Sequence, residues 1–226
     1  MDCHIKQSTK IAIAIAAVVE WTAAKDFFSA TKDMIQSTKY GEYFEVTHKN
    51  QRFIIYYSGA GKVNAAGAAQ YIIDTMGPKR ITVIGRCAGI NRKYHIFDMI
   101  FPTKSVEYDC SVKEIEPFIK ERFVVNLQPP IPQEKEIIIG TGDRPVILWS
   151  DYELLLNNGI DIADMESAVV AYICKVNDVL VTVVKGISDF PYETLSLFKK
   201  QINVYDENAQ VVTKRILEWY LNYIPE

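Results

Sequence analysis

This sequence predicts an α/β fold in which a central, mainly parallel twisted sheet is flanked by helices. Three observations carry that expectation. Short apolar runs alternate along the chain with stretches of helical periodicity. The strongest run, Val179–Val184, is apolar but for Thr182, as in a strand covered on both faces. Several runs also end in glycine-rich turns, the usual exit from a strand into a helix. At 226 residues the chain reads as a single domain, 1–226, large enough to bury a full core without disulfide or metal staples.

In order, Ile11–Val19 alternates isoleucine with alanine and reads as a buried first strand. Behind Lys6 and Lys10 it also has the look of a signal-peptide core, but it is far too short to span a bilayer. Trp21–Gln36 reads as a helix with Ala24, Phe27, Phe28 and Ile35 on one side. Phe53–Tyr57 is a strand closed by Ser58-Gly59-Ala60-Gly61, and the small-residue stretch Lys62–Met76 follows as a helix. Arg80–Ile84 is a strand closed by Gly85-Arg86-Cys87-Ala88-Gly89. Met99–Pro102 and Glu136–Gly140 begin shorter strands, and the proline-rich stretch Gln128–Lys135 is a loop. Met165–Val176 is the clearest helix, with Met165, Ala168, Val169, Tyr172, Ile173 and Val176 on one stripe. The last helix covers Glu207–Tyr223.

Composition excludes several classes. The formal net charge of −3 argues against a nucleic-acid binder held by bulk electrostatics. Cys3, Cys87, Cys110 and Cys174 are widely spaced and form no C-x-x-C, and His4, His48 and His95 are scattered, so no metal-ligand spacing exists. Reduced thiols and a cytoplasmic location are expected. No run approaches a transmembrane length, so no membrane partner is expected.

Ligands of open α/β sheets bind beyond the carboxyl ends of the strands. Glu20 follows the first strand, Ser58–Lys62 the second, Gly85–Gly89 the third, and Ser188-Asp189 the strongest. Together they point to one site. Individually each has a simpler reading: Glu20 as a first-turn helix acid, Gly59 and Gly61 as a tight turn, Asp189 as a helix cap. The Gly-x-Gly pair lacks the third glycine of a dinucleotide fingerprint, and Gly61-Lys62-Val63 lacks the Ser or Thr of a phosphate-binding P-loop. Glu166 falls at the edge of an apolar stripe, where a carboxylate must find partners. With Asp164 it flanks Met165 at a helix start, an arrangement that either binds hydroxyl groups such as those of a ribose or is simply an acidic first turn.

In order and spacing these segments resemble the nucleoside phosphorylase and nucleosidase superfamily, and most of all the 5′-methylthioadenosine/S-adenosylhomocysteine nucleosidases. Ser58-Gly59-Ala60-Gly61-Lys62-Val63 is similar to that family's Ser-Gly-Ile-Gly-Lys-Val turn, Asp164-Met165-Glu166-Ser167 to its Glu-Met-Glu-Ala segment, and Gly186-Ile187-Ser188-Asp189 to its Ala-Ile-Ser-Asp segment. The resemblance implies hydrolysis of the N-glycosidic bond of an adenine nucleoside without metal or organic cofactor. By it, Asp189 protonates N7 of the leaving purine, Ser188 holds the Asp189 carboxylate, and Glu20 activates water. Met165 and Glu166 hold the ribose, with Asp164 beside them. Val146 touches the base through its main chain, and Ala60, Cys87 and Ala88 line the pocket. The chemistry suits the residue types: the sugar becomes cationic and the base anionic, so one acid must stay protonated while another carboxylate deprotonates water.

Phosphorylases of the superfamily carry a Gly-Asp-Pro-x-Arg turn after the first strand. Here Ala16-Ala17-Val18-Val19-Glu20 has no arginine and a carboxylate instead, which favours water over phosphate. Arg86 departs from the family's serine or threonine: it either binds an anion or bridges to Glu20 or Asp164. Lys185 stands for the usual arginine and Pro145 for a base-stacking aromatic. The same segments are also similar to His-Cys-Ala-Gly and Asp-Met-Glu-Ser of bacterial AMP nucleosidases. AMP, another purine nucleoside and phosphorolysis are thus the alternatives in the same fold, and a non-catalytic nucleoside-binding protein is the alternative outside catalysis. The resemblance further implies a homodimer in which Val106–Ser111 closes the neighbour's pocket.

Overall fold

The computed structural model describes residues 10–110, 124–191 and 202–223. Five segments of the sheet come first in the chain: β1 (Ile11–Ile15), β2 (Gln36–Ser37), β3 (Glu42–His48), β4 (Gln51–Tyr57) and β5 (Arg80–Gly89). Six more follow: β6 (Met99–Ile100), β7 (Lys104–Glu107), β8 (Val124–Asn126), β9 (Ile138–Thr141), β10 (Ile162–Asp164) and β11 (Leu180–Asp189). The described helices are α1 (Val18–Phe28), α2 (Lys62–Met76), α3 (Trp149–Asn157), α4 (Ser167–Val176) and α5 (Ile202–Tyr223).

The strands join in the order β2-β3-β4-β1-β5-β10-β9-β7-β8, with β11 beside both β5 and β6. The central strands β4, β1, β5 and β11 run parallel, and antiparallel pairings such as β3–β4 and β7–β8 lie toward the margins. The Ile-Ala alternation of β1 separates two cores. Ile11, Ile13 and Ile15 pack with Trp21 of α1 and with Val212, Ile216 and Leu217 of α5. Ala12 and Ala14 face the other way, against Ala65, Ala68 and Ala69 of α2 and Val170 and Ala171 of α4. Among the described residues no helix is long and apolar enough to cross a membrane.

Several expected boundaries move, each for a physical reason. β1 stops at Ile15, and Val18 and Val19 already belong to α1, so Glu20 arrives on the first turn of a helix rather than at the tip of a strand. Its carboxylate accepts a hydrogen bond from the Ala17 N–H at 3.2 Å, closing the helix start on itself. α1 ends at Phe28 rather than Gln36 because Ser29 turns left-handed, and Gln36–Ser37 pairs with β3. β3 adds a hairpin to β4 beyond the expected strands, with Lys49 and Asn50 at positive φ forming its two-residue turn. Gly85–Gly89 is not a closing turn but the second half of β5, and Ser188-Asp189 likewise ends β11 instead of following it. α4 begins at Ser167, so Asp164 ends β10 and Glu166 stands at the helix cap. α5 starts at Ile202, one turn and more before Glu207.

Candidate active site

The site lies where β5 changes neighbours. β1 pairs with Arg80–Val83, and β10 pairs antiparallel with Ala88 and Gly89. The stretch between them has no strand on that side, which leaves the Arg86 N–H without a ladder acceptor. Glu20 supplies it: Oε1 accepts the Arg86 N–H at 2.6 Å, and the residue is almost fully buried. Gly85 makes this approach possible. Its φ is +141°, and a Cβ there would sit 2.8 Å from both Glu20 carboxylate oxygens.

Asp189 reaches the same place by a different device. β11 tracks β5 residue for residue up to Ile187 opposite Cys87, and then slips so that Asp189, not Ser188, lies opposite Ala88. This bulge transfers Asp189 to the face of the sheet shared by Arg86 and Ala88. The Ser188 hydroxyl donates to Asp189 Oδ1 at 2.6 Å and contacts the Cys87 carbonyl at 3.3 Å. Burial raises the Asp189 carboxyl above its ordinary range, against the Ser188 hydrogen bond and the Arg86 charge that pull it down.

Lys185 forms the floor, at 2% exposure. Its Nζ lies 3.0 Å from Asp164 Oδ2. Burial pulls its pKa down, but Asp164, Glu166 and Glu20 outweigh this and hold it charged. The other contacts of Asp164 are all internal: the Thr141 hydroxyl at 2.6 Å, the Ser167 hydroxyl at 2.5 Å and the Ser167 N–H at 3.1 Å. Its carboxylate therefore ties β9, β10, α4 and β11 together and is not an open acceptor. Glu166 accepts the Gly61 N–H at 2.9 Å. Burial first, then the Asp164 charge, push its carboxyl up to about 7, while Lys185 and the Gly61 N–H oppose the shift.

These groups line one cavity of about 480 Å³. All the sequence-derived residues meet there: Glu20, Asp189 and Ser188 on the walls just described, Met165 with Asp164 and Glu166, Arg86 with Cys87 and Ala88, and Val146 and Ala60 at further points. Burial pushes the Cys87 thiol well up, so it contributes as a neutral surface. The bridge expected from Arg86 to Glu20 or Asp164 is not made by its guanidinium: the main-chain N–H meets Glu20, Lys185 takes Asp164, and the guanidinium faces Asp206 at 3.7 Å.

Lys185, Arg144, Tyr205 and Asp206 also line the cavity and were not among the sequence-derived set. Lys185 carried a signal, a charge inside a buried apolar strand. Tyr205 and Asp206 carry none, since they precede the expected start of the last helix at Glu207. Within the segment expected to serve a neighbouring subunit, Glu107 and Asp109 hold Lys62 of the same chain at 3.3 and 2.7 Å. Ser111 of that segment lies outside the described residues.

A family model described as the phosphorylase superfamily matches residues 11–138. The chain belongs to this superfamily. Its relatives include an aminodeoxyfutalosine nucleosidase of Campylobacter jejuni, 26% identical over 65% of this chain and 72% of the relative. A 5′-methylthioadenosine/S-adenosylhomocysteine nucleosidase of a Marinomonas species is 23% identical over 78% of this chain and 85% of the relative. Among solved structures, the nucleosidase of that type from Helicobacter pylori shares the fold with a TM-score of 0.82 at 20% identity, covering 96% of this chain and 99% of that one.

Proposed function

We propose that this phosphorylase-superfamily chain, read as one domain, is an N-glycosyl hydrolase that cleaves purine nucleosides, with 5′-methylthioadenosine and S-adenosylhomocysteine as its substrates. The observation that carries the reading is the meeting of Glu20 and Asp189 in one cavity, each brought there from a different element, Glu20 buried and Asp189 partly buried. In this reading Asp189, whose carboxyl is raised above its ordinary range by burial, gives a proton to N7 of the base as the glycosidic bond opens. Glu20 takes a proton from the attacking water. Glu166 accepts from the ribose hydroxyls, Met165 packs on the sugar, and the Val146 main chain meets the base. Ser188 orients Asp189. Asp164, with its oxygens engaged, positions Lys185 and the start of α4.

Water rather than phosphate as nucleophile is supported by the character of the lining. The Glu20 carboxylate lies in the cavity, and the Arg144 guanidinium there is held by Asp151 at 2.5 Å. A carboxylate suits an attacking water and repels a phosphate dianion. The Campylobacter relative favours a second reading, the same hydrolysis on aminodeoxyfutalosine. A homodimer in the cytoplasm, working without metal or organic cofactor, belongs to the proposal, and light scattering tests the assembly.

The deciding experiment measures free-base release from 5′-methylthioadenosine, S-adenosylhomocysteine, aminodeoxyfutalosine, adenosine and AMP, with and without phosphate. Phosphate-independent release from the first two supports the main reading. Release that requires phosphate overturns hydrolysis, and adenine binding without release from any of them turns the chain into a binding protein.

A further inference from the structure

Arg86 has no role in the chemistry described so far, yet its position is specific. It lies on the one stretch of β5 with no strand on its β1 and β10 side, and its own N–H anchors Glu20. The β11 bulge brings Asp189 onto the face of the sheet that Arg86 occupies. The guanidinium is about one-third exposed and lines the cavity. Its ion-pair partner, Asp206 at 3.7 Å, is itself half exposed and beyond hydrogen-bond distance. A pair of this kind contributes about 0–1 kcal/mol to stability, so fold stability alone gives little reason for an arginine here. Arg144, the other guanidinium of the cavity, differs in being closely paired with Asp151.

We propose that Arg86 stabilises the departing purine electrostatically, as a fixed positive charge beside the proton donor Asp189. The proposal rests on the nucleosidase reading above. In that reaction the C1′–N9 electron pair passes to the base, the Asp189 proton goes to N7, water oxygen bonds to C1′, and a water proton passes to Glu20. Wherever proton transfer lags behind bond breaking, the base carries negative charge. A guanidinium keeps its own proton at any working pH, so it meets that charge without entering the proton balance. A preorganised charge in a partly water-excluded cavity acts most strongly where charge develops only in the transition state. Asp206 orients the guanidinium without quenching it. The Arg86 charge also opposes the upward push of burial on Asp189, in keeping with their closeness.

The test compares wild type, Arg86→Met and Arg86→Lys on the nucleoside turned over fastest in the panel above and on its 2-fluoroadenine analogue, whose base is a better leaving group of nearly the same shape. Arg86→Met is expected to lower kcat roughly 10- to 100-fold on the adenine nucleoside and by a clearly smaller factor on the fluorinated one. Arg86→Lys should recover part of the loss. An equal loss on both substrates, with or without a lowered urea midpoint, makes Arg86 merely structural and overturns the proposal. So does a wild-type reaction that needs phosphate and loses that need in Arg86→Met. Wild-type protein that releases no base at all refutes the nucleosidase reading itself, and the proposal with it.

Discussion

Glu20 and Asp189 enter one cavity from opposite kinds of support. Glu20 is held by backbone, through the Ala17 and Arg86 N–H groups, and by the space that Gly85 leaves. Asp189 is held by a side chain, the Ser188 hydroxyl, and by a slip in strand register. Backbone donors survive every substitution but proline, and the space they require can be filled. A hydroxyl can be deleted, but its loss leaves the bulge in place. The two walls should therefore fail to different mutations while serving the same reaction.

The largest expected effect treats them alike. Asp189→Asn and Glu20→Gln should each lower kcat for base release by about 10²–10⁴-fold, the usual worth of a general acid or base, with KM changed far less. Steady-state kinetics decides it, and unchanged turnover in either variant removes that residue from the proposed chemistry. Next comes the floor that joins the walls. Lys185→Met leaves Asp164 buried without its cation and should cost about 3–5 kcal/mol in urea unfolding. A loss below about 1 kcal/mol would mean that the hydroxyl donors alone satisfy Asp164.

The asymmetry itself is tested by a smaller pair. Gly85→Ala puts a methyl against the Glu20 carboxylate in a backbone conformation that side chains rarely adopt, and should cost about 1–3 kcal/mol of stability along with most of the activity. Ser188→Ala should cost about 1 kcal/mol and reduce kcat only about tenfold, through a looser Asp189. If Ser188→Ala proves the worse of the two, the comparison is inverted. The smallest effect is on pH dependence. In the proposed role Glu166 accepts from ribose as a carboxylate, so kcat/KM should rise with pH through about 7 as its raised carboxyl ionises. Glu166→Gln keeps an acceptor for the Gly61 N–H and should move the rising limb away from pH 7. A limb that stays there belongs to another group.

Much of the architecture was legible because it rests on local signals. α2 over Lys62–Met76 carries both of its ends in the sequence: Gly61 before it, and Gly77, left-handed, after it. The β1 alternation stated in five residues that two cores would flank the sheet. The β5 boundary moved for a reason that lies outside the segment. Glycines at 85 and 89 look like turn residues, yet they sit in a strand because other parts of the chain crowd them: a Cβ at Gly85 meets Glu20, and one at Gly89 meets the Phe190 ring at 2.2 Å. Local sequence shows that a side chain is missing, not which distant group needs the space.

The sequence by itself determined the α/β class, the central strands and the set of acids at their ends, since periodicity and residue type are properties of short segments. Only the tertiary structure decided how those acids are used. The Asp164 carboxylate was free to face a sugar until Lys185, Thr141 and Ser167 closed around it. Asp189 was a residue past a strand until a register slip set it on the face of Arg86. Hydrogen-bond partners and register are contacts between segments far apart in the chain, and desolvation, which raises both Asp189 and Glu166, exists only once those segments have packed.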